Sequence, residues 1–143
     1  MGNPGEAQAA PPDGFAPHLR KSPLTEPWEP LYARKVDGTV RLGTWLRAAH
    51  TNGRGFAHGG LLTALADNAM GLSCVEHANG ANSFVTVNLA VDFLGVAKPG
   101  QWLEVRTDFV RPGKTLSFAQ CFVTADGAAV ARANATFRAV PRS

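Results

Sequence analysis

The residues with the clearest chemical potential lie in one stretch, from Asn52 to Gly71. A glycine-rich loop leads into His58-Gly59-Gly60, and the apolar residues that follow recur at the spacing of a helix. The first backbone N–H groups of a helix have no partner within it, and glycines let another molecule approach them closely. This predicted helix start is therefore suited to bind an anion, or an oxygen atom that becomes negative during a reaction.

Asp67 is the only acid of this stretch. At about 100° per residue, the apolar residues of the helix fall on one face, which we expect to be buried: Leu61, Leu62, Leu65, Ala66, Ala69 and Leu72. Asp67 falls on the other face among small residues, namely Gly60, Thr63, Ala64 and Gly71. Small neighbours allow close contact, so the carboxylate is a candidate base; a solvated helix charge is the alternative interpretation.

The elements that must position these residues are one long helix and six strands. The helix is predicted from Gly59 to His77, and a hairpin precedes it, with Leu31–Val36 and Thr39–Leu46 joined by the turn Asp37-Gly38. After the helix, alternating apolar residues and Pro-Gly or Asp-Gly turns predict four more strands near 85–93, 103–109, 116–125 and 129–137.

These four strands are expected to form an antiparallel meander, in which Val85, Val87 and Leu89 face the helix. The fold class is therefore α+β, with one long helix wrapped by a curled antiparallel sheet of about six strands. Because one helix cannot cover both faces of such a sheet, we expect a homodimer joined through the sheet.

The composition indicates a single globular domain. The chain has 143 residues, a net charge of +3 and 45% hydrophobic residues, too weak and scattered a positive charge to predict nucleic-acid binding. Neither a membrane span nor a signal peptide is predicted, and Cys74 and Cys121 indicate a reducing cytoplasm rather than a disulfide framework. Residues 1–22 have the composition of a flexible leader, and residues 23–143 form the predicted domain.

The segment from Pro30 to Val140 resembles the hotdog-fold acyl-CoA thioesterases, most closely those of the phenylacetic-acid-degradation type, known as PaaI. The resemblance rests on a set of motifs: Asn52, the His58-Gly59-Gly60 turn, Asp67 nine residues after the histidine, Thr86 at the start of a strand, and GKTLSF at 113–118. It implies a hotdog fold and the hydrolysis of an acyl-CoA to a free acid and CoA.

The resemblance also implies roles for single residues. The Gly59 N–H and the Asn52 side chain would polarise the thioester carbonyl, and Asp67 would act as general base or nucleophile. Thr86 would help to hold the attacking water, and His58 would support the loop or orient the substrate. Candidates for contacts with CoA are Gly60, Lys98, Arg111, Lys114 and Thr115.

The distance between His58 and Asp67 along the helix indicates that a second subunit completes the site. Asp67 lies nine residues beyond His58, which is roughly 13 Å along a helix, so one chain cannot bring both to the same carbonyl. The expected assembly is a homodimer with two composite sites, each joining Asp67 of one subunit to Gly59 and Asn52 of the other. The resemblance further implies that two such dimers associate into a tetramer.

Several alternatives stay open at this stage. The fold also suits a hotdog dehydratase or hydratase, or a non-catalytic acyl-CoA-binding module. The thiol carrier is CoA or an acyl-carrier protein. The expected pocket lining, Phe56, Leu61, Met70 and Phe84, suits an aryl ring or a medium aliphatic chain. No cofactor or metal is expected, because His50, His58 and His77 match no zinc-ligand spacing.

Overall fold

A computed structural model describes residues 9–79 and 82–141 of the chain. It consists of one long helix, α1 (Gly59–His77), packed against one curled antiparallel sheet of seven strands. The strands in chain order are β1 (Ala16–Pro17), β2 (Tyr32–Val36), β3 (Thr39–Trp45), β4 (Asn82–Phe93), β5 (Trp102–Arg111), β6 (Leu116–Ala125) and β7 (Ala128–Pro141). The predicted α+β class, the helix bounds and the hairpin around Asp37-Gly38 are confirmed.

The strand order corrects the predicted meander. The sheet runs β1-β2-β3-β5-β6-β7-β4, so β4 pairs with β7 at one edge and β5 pairs with β3. The link between β4 and β5 therefore crosses the molecule, and backbone hydrogen bonds hold it at Ala57 N to Ala97 O, 2.8 Å, and Gly100 N to Leu46 O, 2.8 Å. Of the four strands predicted for the meander, only β5, β6 and β7 follow one another as hairpins.

The apolar face of α1 fills the inside of the curled sheet. The residues predicted for this face are buried with the exception of Leu72, which is half-buried. A polar tie joins the helix to the sheet within this core, because the Ser73 hydroxyl accepts a hydrogen bond from Val40 N at 2.9 Å and donates one to Ala69 O at 2.8 Å. The Ser73 hydroxyl thus gives the buried N–H of Val40 an acceptor that no neighbouring strand provides.

A bulge in β4 corrects the predicted orientation of this strand. Thr86 pairs with Phe137 and Asn88 with Thr136, so Val87 is an extra residue. Residues before and after it therefore change faces: Thr86 turns toward the helix, and Leu89 packs on the core. Val85 and Val87, which were expected to meet the helix, are 50% and 58% exposed.

The N-terminal segment differs from the expected flexible leader in its described part. Ala16 and Pro17 pair with Ala33 and Tyr32 of β2, which adds the seventh strand. Phe15 is buried with its ring 5.1 Å from that of Trp102. Aromatic burial thus attaches this segment to the sheet, while the division of the chain at residue 22 stays a prediction. Residues 1–8 of the predicted leader lie outside the described residues.

Both cysteines are free and buried, Cys74 on α1 and Cys121 on β6. Burial raises the pKa of the Cys74 thiol to about 11 and that of the Cys121 thiol to about 12. Within the described residues, no helix combines the length and the apolar character that a membrane crossing requires.

Candidate active site

The loop before α1 is closed by the side chain of Asn52. Its Oδ1 atom accepts hydrogen bonds from Arg54 N at 2.9 Å and Phe56 N at 3.2 Å, and its own backbone N–H donates to Phe56 O at 2.7 Å. These bonds fix which end of the amide is oxygen. The Nδ2 group donates to no acceptor among the described residues, so it remains available to a ligand.

His58 caps the helix that follows. Its Nδ1 atom accepts a hydrogen bond from Gly60 N at 2.8 Å, while its own backbone N–H donates to His50 O at 2.9 Å. The imidazole therefore satisfies one of the unpartnered donors of the first turn. Because the Gly60 N–H is used in this way, its predicted contact with CoA would have to come from another atom.

Gly59 supplies the available donor of this helix start. Within the described part of the chain, its N–H donates no hydrogen bond. A Cβ atom at this position would lie 3.2 Å from the ring of Phe93, which is tighter than ordinary contact. Glycine thus lets the aromatic ring lie against the backbone, next to a donor that points away from the helix.

Asp67 and Thr86 meet on the other side of the helix. The Thr86 hydroxyl donates a hydrogen bond of 2.7 Å to Asp67 Oδ1, across 19 positions of the sequence. The β4 bulge makes this contact possible. In a strand without the bulge, Thr86 would lie on the face opposite to that of Leu89 and would point away from the helix. Alternation along β4 alone does not predict that Thr86 faces the helix, since the bulge is what brings it there.

The Asp67 side chain borders an open cleft of about 290 Å³. Apolar walls come from Leu72, Phe84 and Phe137, and the polar lining includes Thr86 and Asn68. One more wall comes from the segment 18–22, which sequence analysis did not connect with the site because its composition carries no pattern. A carboxylate, a hydroxyl and aromatic rings thus share one solvent-accessible space.

The helix start borders a different cavity of about 390 Å³. Its lining includes His58, Gly60, Leu61 and Trp28, but Asp67 is not part of it, and the Asp67 cleft contains no residue of the 52–60 loop. Asp67 lies eight positions beyond Gly59 along the helix, which is roughly 12 Å. Within one subunit, therefore, the two halves of the predicted site do not face one another.

The remaining predicted contacts are spread over the molecule. Lys98 lies before β5 and Arg111 at its end, so the ten-residue strand separates them by roughly 30 Å. Lys114 and Thr115 lie in the turn after Arg111, and all four residues are exposed.

The predicted pocket residues are also divided between different places. Phe84 lines the Asp67 cleft and Leu61 the other cavity, whereas Met70 is buried in the core. Phe56 is half-buried in the loop before α1.

His50 has a structural environment. Its Nδ1 atom accepts a hydrogen bond from Arg47 N at 3.0 Å, so the Nε2–H donates to Trp28 O at 2.9 Å. Burial lowers the pKa of this imidazole below its ordinary value, despite the carbonyl of Trp28. Among the described residues, no group of three His, Cys, Asp or Glu side chains could hold a metal ion.

Comparison with known proteins agrees with this geometry. Residues 54–132 match the sequence profile of the thioesterase superfamily, and this range contains the helix start, Asp67 and Thr86. The chain belongs to the thioesterase superfamily. A curated Pseudomonas aeruginosa protein that is named as an esterase is 38% identical over 128 residues, which cover 88% of this chain and 95% of that protein. The protein is thus a thioesterase enzyme.

Two solved structures share its fold at a TM-score of 0.73. One is a hypothetical thioesterase from Streptococcus pneumoniae with coenzyme A, 26% identical, for which the alignment covers 80% of this chain and 92% of that one. The other is a single-residue mutant of the phenylacetic acid degradation protein PaaI from Thermus thermophilus, 25% identical, with 83% and 100% covered. The predicted similarity to PaaI-like hotdog thioesterases is confirmed.

Proposed function

We propose that this thioesterase hydrolyses an aryl- or medium-chain acyl-CoA to the free acid and CoA. Water adds to the thioester carbonyl carbon, the carbonyl oxygen becomes negative, and the C–S bond then breaks to release the CoA thiolate. Asp67 accepts the proton of the attacking water as general base; in the alternative, its carboxylate attacks the carbonyl carbon itself. The thiolate takes up a proton as it leaves.

The hydrogen bond from Thr86 to Asp67 is the observation that carries this proposal. It holds one carboxylate oxygen of Asp67 and leaves the other for water, beside the aromatic walls of an open cleft. Phe84 suits an aryl or aliphatic acyl group, since its half-buried ring presents apolar surface to the cleft. The coenzyme A bound to the similar Streptococcus protein supports CoA as the thiol carrier.

The carbonyl oxygen that becomes negative accepts hydrogen bonds from the Gly59 N–H and the Asn52 Nδ2 of a second subunit in this scheme. Both donors are available, and the roughly 12 Å between Gly59 and Asp67 along α1 keeps a subunit from using its own pair. An antiparallel arrangement of two helices places each Asp67 opposite the other subunit's helix start. Donors aimed at a developing oxyanion contribute about 3 to 4 kcal/mol each to transition-state stabilisation.

The cytoplasm is the proposed location. Cys74 and Cys121 are unpaired thiols, as expected of a protein in a reducing compartment. A CoA thioester substrate is consistent with this assignment.

The experiment that tests the proposal is hydrolysis of an acyl-CoA panel by wild type, Asp67→Asn and Asn52→Ala. Both variants are expected to remain folded and to lose about 100-fold or more in kcat. Unfolding and refolding the two variants together should then restore about a quarter of the wild-type rate, because half of the dimers are mixed and each holds one intact composite site.

Two outcomes would contradict the scheme in different ways. If the mixed protein stays inactive while each variant is a folded dimer, the composite site is wrong. If wild type binds acyl-CoA but hydrolyses none of the panel, the acyl-CoA-binding module becomes the better interpretation. Addition of water to an enoyl-CoA by wild type would favour the hydratase.

A further inference from the structure

A short N-terminal segment, residues 15–22, is fixed against the Asp67 cleft at both ends; we call it the strap. At its start, Phe15 is buried and the two residues of β1 pair with β2. The His18 N–H donates to Leu31 O at 2.9 Å. At its end, Ser22 O accepts from Thr25 N at 3.2 Å, and Thr25 is buried.

The strap lines the cleft with its basic part. His18, Arg20, Lys21 and Ser22 all border the same space as Asp67 and Thr86. Burial lowers the pKa of His18 below its ordinary value, although Glu29 opposes the shift, so this imidazole is neutral near pH 7. The positive charge of the wall therefore belongs to Arg20 and Lys21.

The charges around the cleft are unbalanced. Among the described residues that line it, Asp67 is the only acid, and Thr86 already donates to this carboxylate. Arg20 and Lys21 take part in none of the ion pairs formed by the described residues, and both are exposed. Two unpaired cations on an anchored segment beside a catalytic cleft would attract an anionic group of the substrate.

We propose that Arg20 and Lys21 form a binding site for an anionic group of the thioester substrate. The group is a phosphate of CoA or a carboxylate at the far end of the acyl chain, since both are oxyanions that these side chains can bind. This inference rests on the proposed function, because it assumes that the substrate enters the Asp67 cleft. It assigns a role in substrate binding to a segment that the sequence pattern left without one.

The test compares wild type with the double variant Arg20→Gln/Lys21→Gln on three thioesters. Butyryl-pantetheine carries no anion, butyryl-CoA carries only the phosphates, and glutaryl-pantetheine carries only a carboxylate. We expect the double variant to raise KM about five- to tenfold for one of the two anionic substrates. Its KM for the neutral substrate and its kcat should stay within about twofold of wild type. The substrate whose KM rises shows whether the two side chains bind a phosphate of CoA or the carboxylate of the acyl chain.

Calorimetric titration in the Asp67→Asn background measures the same affinities without turnover. Lys35→Gln is the control, because it also removes an exposed cation but lies outside the cleft. The Lys35 side chain is 71% exposed, and its ion-pair partner Glu76 lies at the end of α1. Equal affinities of the double variant and its parent for all three thioesters would overturn the inference. So would an equal loss for all three, since that result indicates a merely structural strap. Absence of hydrolysis by wild type would contradict the proposed function alone, because the calorimetric comparison would still decide the role of the two cations.

Discussion

At the scale of single residues, Asp67 depends on a neighbour from a distant strand. Thr86 donates to it at 2.7 Å and thereby restricts the rotation of a carboxylate that is partly exposed to solvent. A carboxylate fixed in this way keeps its second oxygen directed toward one position in the cleft. The proposed mechanism therefore makes Thr86 a positioning residue, and its contribution can be measured separately from that of the acid.

Replacement of Thr86 by valine keeps the shape of the side chain and removes the hydroxyl. We expect kcat to fall about tenfold, with a change of less than about twofold in KM, because the acid loses orientation while the pocket keeps its volume. Steady-state kinetics with the best acyl-CoA of the panel provides the measurement.

Thr39→Val is the matched control for that substitution. The Thr39 hydroxyl also donates a hydrogen bond of 2.7 Å, to Val36 O in the β2–β3 turn, away from the Asp67 cleft. Unchanged kcat in this control, together with a loss in Thr86→Val, would support the positioning role. Equal rates in all three proteins would exclude it.

The candidate site could be predicted from sequence where local chemistry decides it. The helix start at Gly59 and the acid at Asp67 follow from spacing along one element, and the structure places both as expected. The contact between Asp67 and Thr86 depends on a bulge, and the strap depends on aromatic burial between distant segments. Periodicity along the chain carries no information about such pairings.

At the scale of elements, β4 changes faces at Val87 and keeps its pairing with β7 on both sides. Before the bulge, Phe84 and Thr86 point toward the helix; after it, Leu89 and Val91 do so. One extra residue thus lets the same strand supply a polar group to the cleft and apolar groups to the core.

Deletion of Val87 is expected to be tolerated by the fold. It removes the unpaired residue, so regular alternation keeps Thr86 and Leu89 on the face that they already share, and the pairing with β7 continues. We expect the free energy of unfolding to change by less than about 1 kcal/mol, while kcat falls because the Asp67 contact depends on the local bend. Denaturant unfolding and kinetics on the same protein measure the two effects.

Deletion of Leu89 is the contrasting control for this experiment. It removes a side chain packed on the core and turns Val91 to the outer face, so a loss of more than about 3 kcal/mol is expected. If the two deletions destabilise the protein equally, the bulge does not have the role described above.

The elements themselves could be predicted more completely than their neighbours in the sheet. Alternation located β5, β6 and β7, and the Asp-Gly turn located the first hairpin. Pairing of β4 with β7 depends on contacts between residues far apart in the sequence, from 38 positions for Phe93 with Ala131 to 59 positions for Asn82 with Pro141. A short turn signal at Pro99-Gly100 favoured a hairpin of β4 with β5, whereas β4 pairs with β7 and β5 with β3.

At the scale of the whole molecule, apolar side chains remain exposed at several places in the described chain, and two of these places lie on the sheet. One is the free edge of the sheet on β4, where Val85 and Val87 are exposed. The other lies on the outer face of the sheet and consists of Phe109, Leu116 and Phe118, each between 41% and 50% exposed. An edge strand with apolar side chains favours pairing with a second copy, and the outer face is suited to join two dimers.

Lysine substitutions should distinguish the roles of these two surfaces in assembly. Val87→Lys is expected to produce a monomer that lacks activity, because the proposed composite site needs the second subunit. Phe118→Lys is expected to stop assembly at a dimer that keeps wild-type kcat. Analytical ultracentrifugation alongside the hydrolysis assay measures both properties, and an active monomer in Val87→Lys would contradict the composite site.

Because both thiols are buried, we expect the enzyme to be inert toward the oxidised form of its own proposed product. Released CoA forms a disulfide on oxidation, and such a disulfide is attacked by protein thiolates rather than by thiols. With pKa values of about 11 and about 12, Cys74 and Cys121 are ionised at pH 8 to the order of one part in a thousand or less. Incubation of the native protein with CoA disulfide should therefore leave its mass unchanged, whereas a CoA adduct would show that one of the thiols opens to solvent.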